Sequence, residues 1–191
     1  MVRHDNPERG AEAITLVRSK GDTPIRVLFL CTHNSARSQI AEALLSRKRQ
    51  GRFEVASAGT EPGEAVHPLA LDALARAGID WSGARPKGLE AVLDGTVWDL
   101  VITVCDRARE ACPRLPGRPV TVHWGMPDPA AEEGGEETRK AAFWDVLTFL
   151  GRRVDLLCAL PDHKLRGMSL RLAMQQIESS HEPYGGQGRT E

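Results

Sequence analysis

Residues 25–38 read IRVLFLCTHNSARS, an apolar run that leads directly into a short polar loop. Residues 25–30 are apolar apart from Arg26, which is typical of a strand buried on both faces. From Ser35 to Lys48, apolar residues such as Ile40 and Leu44 recur with helical spacing. The pattern therefore predicts a strand, a tight loop and a helix in direct succession.

Short apolar runs alternate with longer stretches of helical period along the rest of the chain. We expect further strands at 53–57, 100–104 and 120–124, and further helices at 67–77, 136–160 and 169–178. The predicted helix at 136–160 is long, and either Gly151 or Pro161 is expected to break it. This alternation predicts the α/β class, with a four-stranded parallel sheet and helices on both faces.

Length and composition favour one ordinary globular domain of 191 residues. The 25 basic and 26 acidic side chains nearly balance, so neither nucleic acid nor a membrane surface is an expected partner. No run is long and apolar enough to span a bilayer, and the first residues do not resemble a signal peptide. We therefore expect a cytoplasmic protein.

The four cysteines, Cys31, Cys105, Cys112 and Cys158, are too few for a secreted disulfide scaffold. In a reducing compartment they are better interpreted as reactive or buried thiols. Cys158 lies in an apolar helical stretch, where core packing is the expected role.

The loop after the first strand has the residues of an anion receptor. A loop that enters a helix presents unpaired N–H groups and the positive end of the helix dipole. Cys31 would lie beneath the anion, where cysteine pKa values fall to roughly 3.5–7.5. Arg37 offers a planar fork for two oxygens, and Ser38 can hydrogen-bond the sulfur. The plain alternative is a buried strand-end cysteine beside a solvated arginine.

The stretch Cys31-Thr32-His33-Asn34-Ser35-Ala36-Arg37-Ser38 resembles the active-site signature of the low-molecular-weight protein tyrosine phosphatase family. The stretches 57–60 (SAGT) and 123–130 (HWGMPDPA) are similar to the arsenate reductase branch of that family. The resemblance covers roughly residues 25–160 and implies a flavodoxin-like, three-layer fold. Residues 1–24 then form a flexible extension, and residues 161–191 a C-terminal helical extension with a flexible tail.

The resemblance also implies roles for individual residues. Residues 32–38 would bind the oxyanion, Cys31 would be the nucleophile and Asp128 the proton donor. Without the resemblance, an aspartate between Pro127 and Pro129 is most often only a turn former.

In the arsenate reductase branch, a further cysteine pair carries electrons. The resemblance implies that Cys105 attacks the Cys31 adduct, that Cys112 resolves the disulfide, and that an external thiol restores the protein. That reductant is thioredoxin or a glutathione and glutaredoxin system, with no bound cofactor and no metal. Alternatively, both thiols are structural, or they form a zinc site with His123, although their spacing lacks the short Cys-x2–4-Cys knuckle.

Some reductases of this branch bind a monovalent cation through asparagine, glutamate, serine and aspartate. Asn34, Glu42 and Ser57 match that set, whereas Lys87 takes the place of the aspartate. An ammonium there would replace the cation, so we expect no stimulation by potassium.

Two rival functions stay open. One is a tyrosine phosphatase in which water hydrolyses the Cys31 adduct, although Ala130 and Ala131 stand where such phosphatases carry aromatic residues. The other is an oxyanion-binding, redox-regulatory module without turnover. The sequence leaves the physiological reductant and the oligomeric state open.

Overall fold

The structure, a computed structural model, describes residues 23–48 and 51–179. The predicted N-terminal extension lies outside these ranges except for residues 23 and 24, and the predicted tail from residue 180 also lies outside them. The strands are β1 (Ile25–Cys31), β2 (Phe53–Gly59), β3 (Leu100–Thr103) and β4 (Val120–His123). The α-helices are α1 (Arg37–Lys48), α2 (Pro68–Arg76), α3 (Asp106–Glu110), α4 (Glu136–Ala159) and α5 (Gly167–Ser179).

The four strands form one parallel sheet in the order β2-β1-β3-β4, which confirms the predicted sheet. The first strand is central and pairs with both β2 and β3. Cys31 at its end is in register with Gly59 at the end of β2. Because parallel strands bring their carboxyl ends to one edge, the loops after all four strands meet beside Cys31.

The sheet separates two apolar clusters of unequal size. Alternate residues of β1 contribute to each, with Val27 and Phe29 in the larger cluster and Leu28 and Leu30 in the smaller. Buried side chains of α1, α2, α4 and α5 complete the larger cluster. Within the described residues, the 3₁₀ turn Leu89–Val92 and neighbouring loops cover the smaller one. The layer on this second face is thus much thinner than the helical layer opposite.

The long helix α4 runs through Gly151 without a break and ends at Ala159, just before Pro161. Glycine in a helix costs only about 1 kcal/mol relative to alanine. Buried residues on both sides, such as Leu150 and Val154, hold the helix against the core. Proline is the stronger stop, because the residue before it avoids the helical conformation.

The final helix α5 packs against β4 and α4. Leu170, Met174 and Ile177 belong to the larger apolar cluster, although the extent of the family resemblance, roughly residues 25–160, placed this helix in an extension. Where the domain should be divided stays a prediction. No helix in the described ranges has the length and apolar character needed to cross a membrane.

We predict that Met174→Ala destabilises the protein by about 2–5 kcal/mol, because truncating a fully buried side chain leaves a cavity. The matched control is Leu172→Ala on the same helix, whose side chain is 57% exposed. It should change the free energy of unfolding by less than about 0.5 kcal/mol. Urea unfolding measures both, and equal midpoints for the two variants would show that α5 does not stabilise the core.

Candidate active site

The loop between β1 and α1 turns its carbonyl groups outward. Four of these carbonyls accept hydrogen bonds from N–H groups of the segment after β2: Cys31 from Thr60, Thr32 from Glu61, His33 from Gly63, and Ser35 from His67. In a trans peptide, the carbonyl and the following N–H point in opposite directions, and the described chain has no cis bond. The N–H groups of residues 32, 33, 34 and 36 therefore face the interior of the loop, as an anion-binding cup requires.

Gly59 at the end of β2 allows this close contact. A Cβ atom at that position would lie 2.6 Å from the Thr32 carbonyl oxygen and 3.0 Å from the Asn34 nitrogen. Both neighbours are backbone atoms, so neither can move without opening the cup. A glycine is therefore required where β2 supports the loop.

The Cys31 sulfur lies at the bottom of the cup. It is hydrogen-bonded with the Ser38 hydroxyl at 2.9 Å and accepts the Asn34 N–H at 3.1 Å. Burial raises the pKa of the Cys31 thiol, while these hydrogen bonds act in the opposite direction. This direction is opposite to the lowered pKa expected from the loop position, because the nearly complete burial of the sulfur disfavours the thiolate.

Arg37 is the first residue of α1, two positions later than the predicted start of the helix. Asn34, with φ of 50°, keeps the preceding residues in the loop. The Arg37 guanidinium donates through Nη1 to the Met126 carbonyl at 3.1 Å and through Nη2 to Asp128 at 2.9 Å. The structure thus brings Asp128 to the rim of the cup, where its side chain is 37% exposed.

The buried Asn34 side chain connects the cup to the sheet. Its Nδ2 donates to the hydroxyls of Ser38 at 2.8 Å and Ser57 at 2.7 Å. Its Oδ1 accepts from Gln39 Nε2 at 3.0 Å and from the Lys87 backbone N–H at 2.8 Å. Every polar atom of this amide is in use, so the loop conformation is strongly determined.

The residues matched to a cation site are also close together. Ser57 donates to the Glu42 carboxylate, and Lys87 Nζ lies 3.0 Å from the same carboxylate oxygen. Glu42 is buried, and an ion pair with the Lys87 ammonium compensates its charge.

Cys105 lies beside the cup, directly after the third strand. Its sulfur is 3.4 Å from the Thr32 hydroxyl, and Cys105 precedes the first residue of α3. Cys31 ends β1, and Cys105 lies two residues beyond the end of β3, so both cysteines lie at the same edge of the sheet on neighbouring parallel strands.

Cys112 lies further away, beyond the end of α3. It is half-buried and packs against the smaller apolar cluster, whereas Cys31 and Cys105 belong to the larger one. Burial raises the pKa of its thiol. The structure thus brings Cys105 to the cup but not Cys112.

The alternative zinc site is not assembled. His123 contacts Thr103 through Nδ1 at 2.8 Å and Asp106 through Nε2 at 3.2 Å. In the part of the chain that the structure describes, no three His, Cys, Asp or Glu side chains are grouped as metal ligands. None of the four cysteines forms a disulfide in the described structure, and Cys158 is buried in the core as expected.

Sequence reasoning missed two residues that support the cup from behind. Gln39 donates to the Arg85 carbonyl at 3.0 Å as well as to Asn34, and its own Oε1 accepts the Trp81 indole N–H at 2.8 Å. Gln39 follows the cup residues directly, but no local pattern connects it with Trp81, which is 42 residues away.

Comparison with known proteins agrees with this geometry. The family model described as low molecular weight phosphotyrosine protein phosphatase matches residues 26–166. An arsenate reductase of Halalkalibacterium halodurans is 38% identical over 128 residues, which cover 67% of this chain and 91% of the relative.

Solved structures of arsenate reductases also align with this chain. An arsenate reductase in its phosphate-binding state aligns with a TM-score of 0.57 and 29% identity, over 71% of this chain and 97% of the other. A thioredoxin-dependent arsenate reductase of Corynebacterium glutamicum aligns with a TM-score of 0.50 and 34% identity, over 71% of this chain and 64% of the other.

We predict that Ser38→Ala raises the pKa of Cys31 further, because the hydroxyl hydrogen bond favours the thiolate. The rate of alkylation by iodoacetamide, followed across pH in a Cys105→Ser, Cys112→Ser background, measures this shift. Alkylation near neutral pH should be slower than in the parent background.

Ser35→Ala is the control, because the structure records no hydrogen bond from its hydroxyl to the Cys31 sulfur. An alkylation profile of Ser38→Ala that coincides with that of Ser35→Ala would contradict the assigned hydrogen bond.

Proposed function

The chain belongs to the low molecular weight phosphotyrosine protein phosphatase family, and we propose that it is an enzyme that reduces arsenate to arsenite. The observation that supports reduction rather than hydrolysis is the position of Cys105. A phosphatase of this fold needs one thiol under the anion, whereas here a second thiol contacts Thr32 within the cup.

In the first step, the oxyanion occupies the cup and the Cys31 sulfur attacks the pentavalent arsenic. An As–S bond forms, and one oxygen leaves as water after it takes up a proton. Asp128 is the proposed proton donor, since it lies at the rim and a positioned acid typically contributes 10²–10⁴-fold to such steps. Arg37 holds two oxygens of the anion, so the incoming oxyanion competes with Asp128 for the guanidinium.

In the second step, the Cys105 thiolate attacks the Cys31 sulfur. The As–S bond breaks and its electron pair stays on arsenic, which leaves as arsenite in the trivalent state. The two sulfurs are oxidised together to a Cys31–Cys105 disulfide, so the electrons balance. Cys112 then attacks Cys105, releases the Cys31 thiolate and forms a Cys105–Cys112 disulfide.

The last exchange requires α3 to unfold. Cys105 and Cys112 lie on either side of this helix, and seven residues of helical rise correspond to about 10 Å. A disulfide needs Cα atoms about 4.4–6.8 Å apart. A five-residue helix has little intrinsic stability, so it can unwind at low cost and carry the new disulfide outward.

An external thiol protein then reduces that disulfide. The likeness to a thioredoxin-dependent reductase supports thioredoxin, and a glutathione and glutaredoxin system is the alternative. Because the relay needs Cys31, Cys105 and Cys112 reduced at the start of each cycle, we propose the cytoplasm as the location.

We further propose that Lys87 replaces the monovalent cation of related reductases. Its ammonium forms an ion pair with the Glu42 carboxylate. Ser57 is hydrogen-bonded both to this carboxylate and to the Asn34 side chain of the cup. A fixed positive charge at this place makes a mobile ion unnecessary.

Phosphatase activity is the second candidate, favoured by the shared cup and by the family itself. Ala130 and Ala131 at the rim are small, so an aryl phosphate would have little surface to contact. We expect at most slow hydrolysis of p-nitrophenyl phosphate, and efficient hydrolysis that survives loss of Cys105 and Cys112 would favour the phosphatase. A redox-regulatory module would instead bind arsenate without releasing arsenite.

We predict that Cys31→Ser, Cys105→Ser and Cys112→Ser each abolish steady-state turnover, because each removes one member of the relay. The assay follows arsenate-dependent NADPH oxidation with thioredoxin and thioredoxin reductase. Cys158→Ser is the matched control, since this buried thiol lies in the core and has no step in the scheme. Full activity of Cys105→Ser would contradict the proposed thiol relay.

We predict that potassium and sodium support equal activity in the parent protein. Lys87→Met should lower stability by about 1–3 kcal/mol, because the buried Glu42 carboxylate loses its charged partner. Lys48→Met, which removes a more peripheral ion pair with Asp155, is the control and should have little effect. The measurements are urea unfolding and initial rates in each salt. A strong preference of the parent for potassium would contradict the proposed role of Lys87.

A further inference from the structure

A second cleft lies between α3, the C-terminal parts of α4 and α5, and the segment 125–127 that precedes Asp128. Its volume is about 520 Å³, and its wall includes Met126, His123 and residues of α3, α4 and α5. The cup scheme assigns no role to this cleft. The most unusual group in its wall is Arg153 of α4.

Arg153 is a charged side chain in an apolar setting. The residue is 5% exposed, and its guanidinium carbon lies 4.4 Å from the Phe149 ring centre and 5.8 Å from that of Trp124. Burial lowers the pKa of Arg153 to about 10, so the group stays charged at neutral pH. Its Nε and Nη1 atoms are buried without a hydrogen-bond acceptor among the described residues.

The ring contacts do not satisfy these donors. A cation over an aromatic ring interacts with the face of the ring, whereas guanidinium N–H groups point outward in their own plane. Leaving a buried charged donor without an acceptor is more unfavourable than leaving a neutral one without an acceptor. An acceptor that carries negative charge is therefore the expected occupant.

The acids of the cleft do not provide that acceptor. Glu178 of α5 lines the cleft and its charge favours the charged form of Arg153, but it accepts no hydrogen bond from the buried Nε and Nη1 atoms. Asp106 is 74% exposed and lies near Arg109 and His123 instead, at 3.5 Å and 3.2 Å. Neither carboxylate therefore satisfies the buried Nε and Nη1 donors of Arg153.

We propose that this cleft binds a small oxyanion of the sulfate or phosphate class, held by Arg153 from α4 and by Arg109 from α3. Arg109 lines the same cleft with a guanidinium that is 56% exposed and can turn toward an anion. His123 lines a third side. Burial lowers the pKa of His123, so its imidazole is neutral at neutral pH and adds no charge. The anion therefore depends on the two arginines for its charge compensation.

The test separates this cleft from the cup by using Arg37→Ala as background, which removes the cup guanidinium. The probe is inorganic sulfate, and sodium chloride at equal ionic strength controls for screening. Melting temperature and isothermal titration are recorded for the background and for the same protein with Arg153→Met. The matched control adds Arg152→Met, which changes the exposed neighbour of Arg153 on the same helix.

Sulfate should raise the melting temperature of the background and of the Arg152→Met protein, and chloride should not reproduce the rise. Arg153→Met should weaken sulfate binding by roughly 10–100-fold, as expected for loss of a charged hydrogen-bond donor. Without sulfate, its melting temperature should equal or exceed that of the background, because an uncompensated buried charge is gone.

If Arg153→Met fails to fold, Arg109→Met replaces it and should weaken sulfate binding several-fold. Equal sulfate responses with and without Arg153, or with and without Arg109 in that case, would overturn the proposal.

Discussion

The side chain of Asn34 is the constraint on which the rest of the site depends. Its amide is buried, and it connects Ser38, Ser57, Gln39 and the Lys87 backbone in one network. Its own N–H donates to the Cys31 sulfur. The backbone there has a positive φ, which asparagine tolerates better than most residues. One residue thus determines the turn of the loop, the position of Ser38 and a hydrogen bond to the Cys31 sulfur.

Two opposing effects act on the Cys31 sulfur, the proposed nucleophile. Burial under the cup raises the pKa of Cys31, and the hydrogen bonds from Ser38 and Asn34 limit the rise. In the proposed scheme the burial also has a benefit, because it keeps water away from the sulfur that Cys105 would attack. Cys105 contacts the neighbouring Thr32, whereas Cys112 lies beyond the end of α3. The order of the proposed exchanges follows from this difference in position.

Much of the fold could be predicted from the sequence because the elements carry strong local patterns. The apolar run of β1 and the following loop predicted the central strand and the cup, and the four-stranded parallel sheet is confirmed. Helix ends were less predictable: α1 begins at Arg37 because Asn34 holds the loop, and α4 passes Gly151 because its neighbours are buried. The roles assigned to Cys31, Asp128, Cys105 and Cys112 stay proposals. The Gln39–Trp81 contact and the isolated Arg153 were not predictable, because they depend on residues far apart in the chain.

The most direct test of the account is a single turnover of the Cys112→Ser protein with arsenate and no added reductant. The account predicts one arsenite released per chain, together with a disulfide between Cys31 and Cys105 detected by peptide mass mapping without reduction. This variant keeps both thiols of the first exchange and lacks the one that resolves it. Binding of arsenate without arsenite release, or arsenite release with Cys105 still a free thiol, would contradict the account.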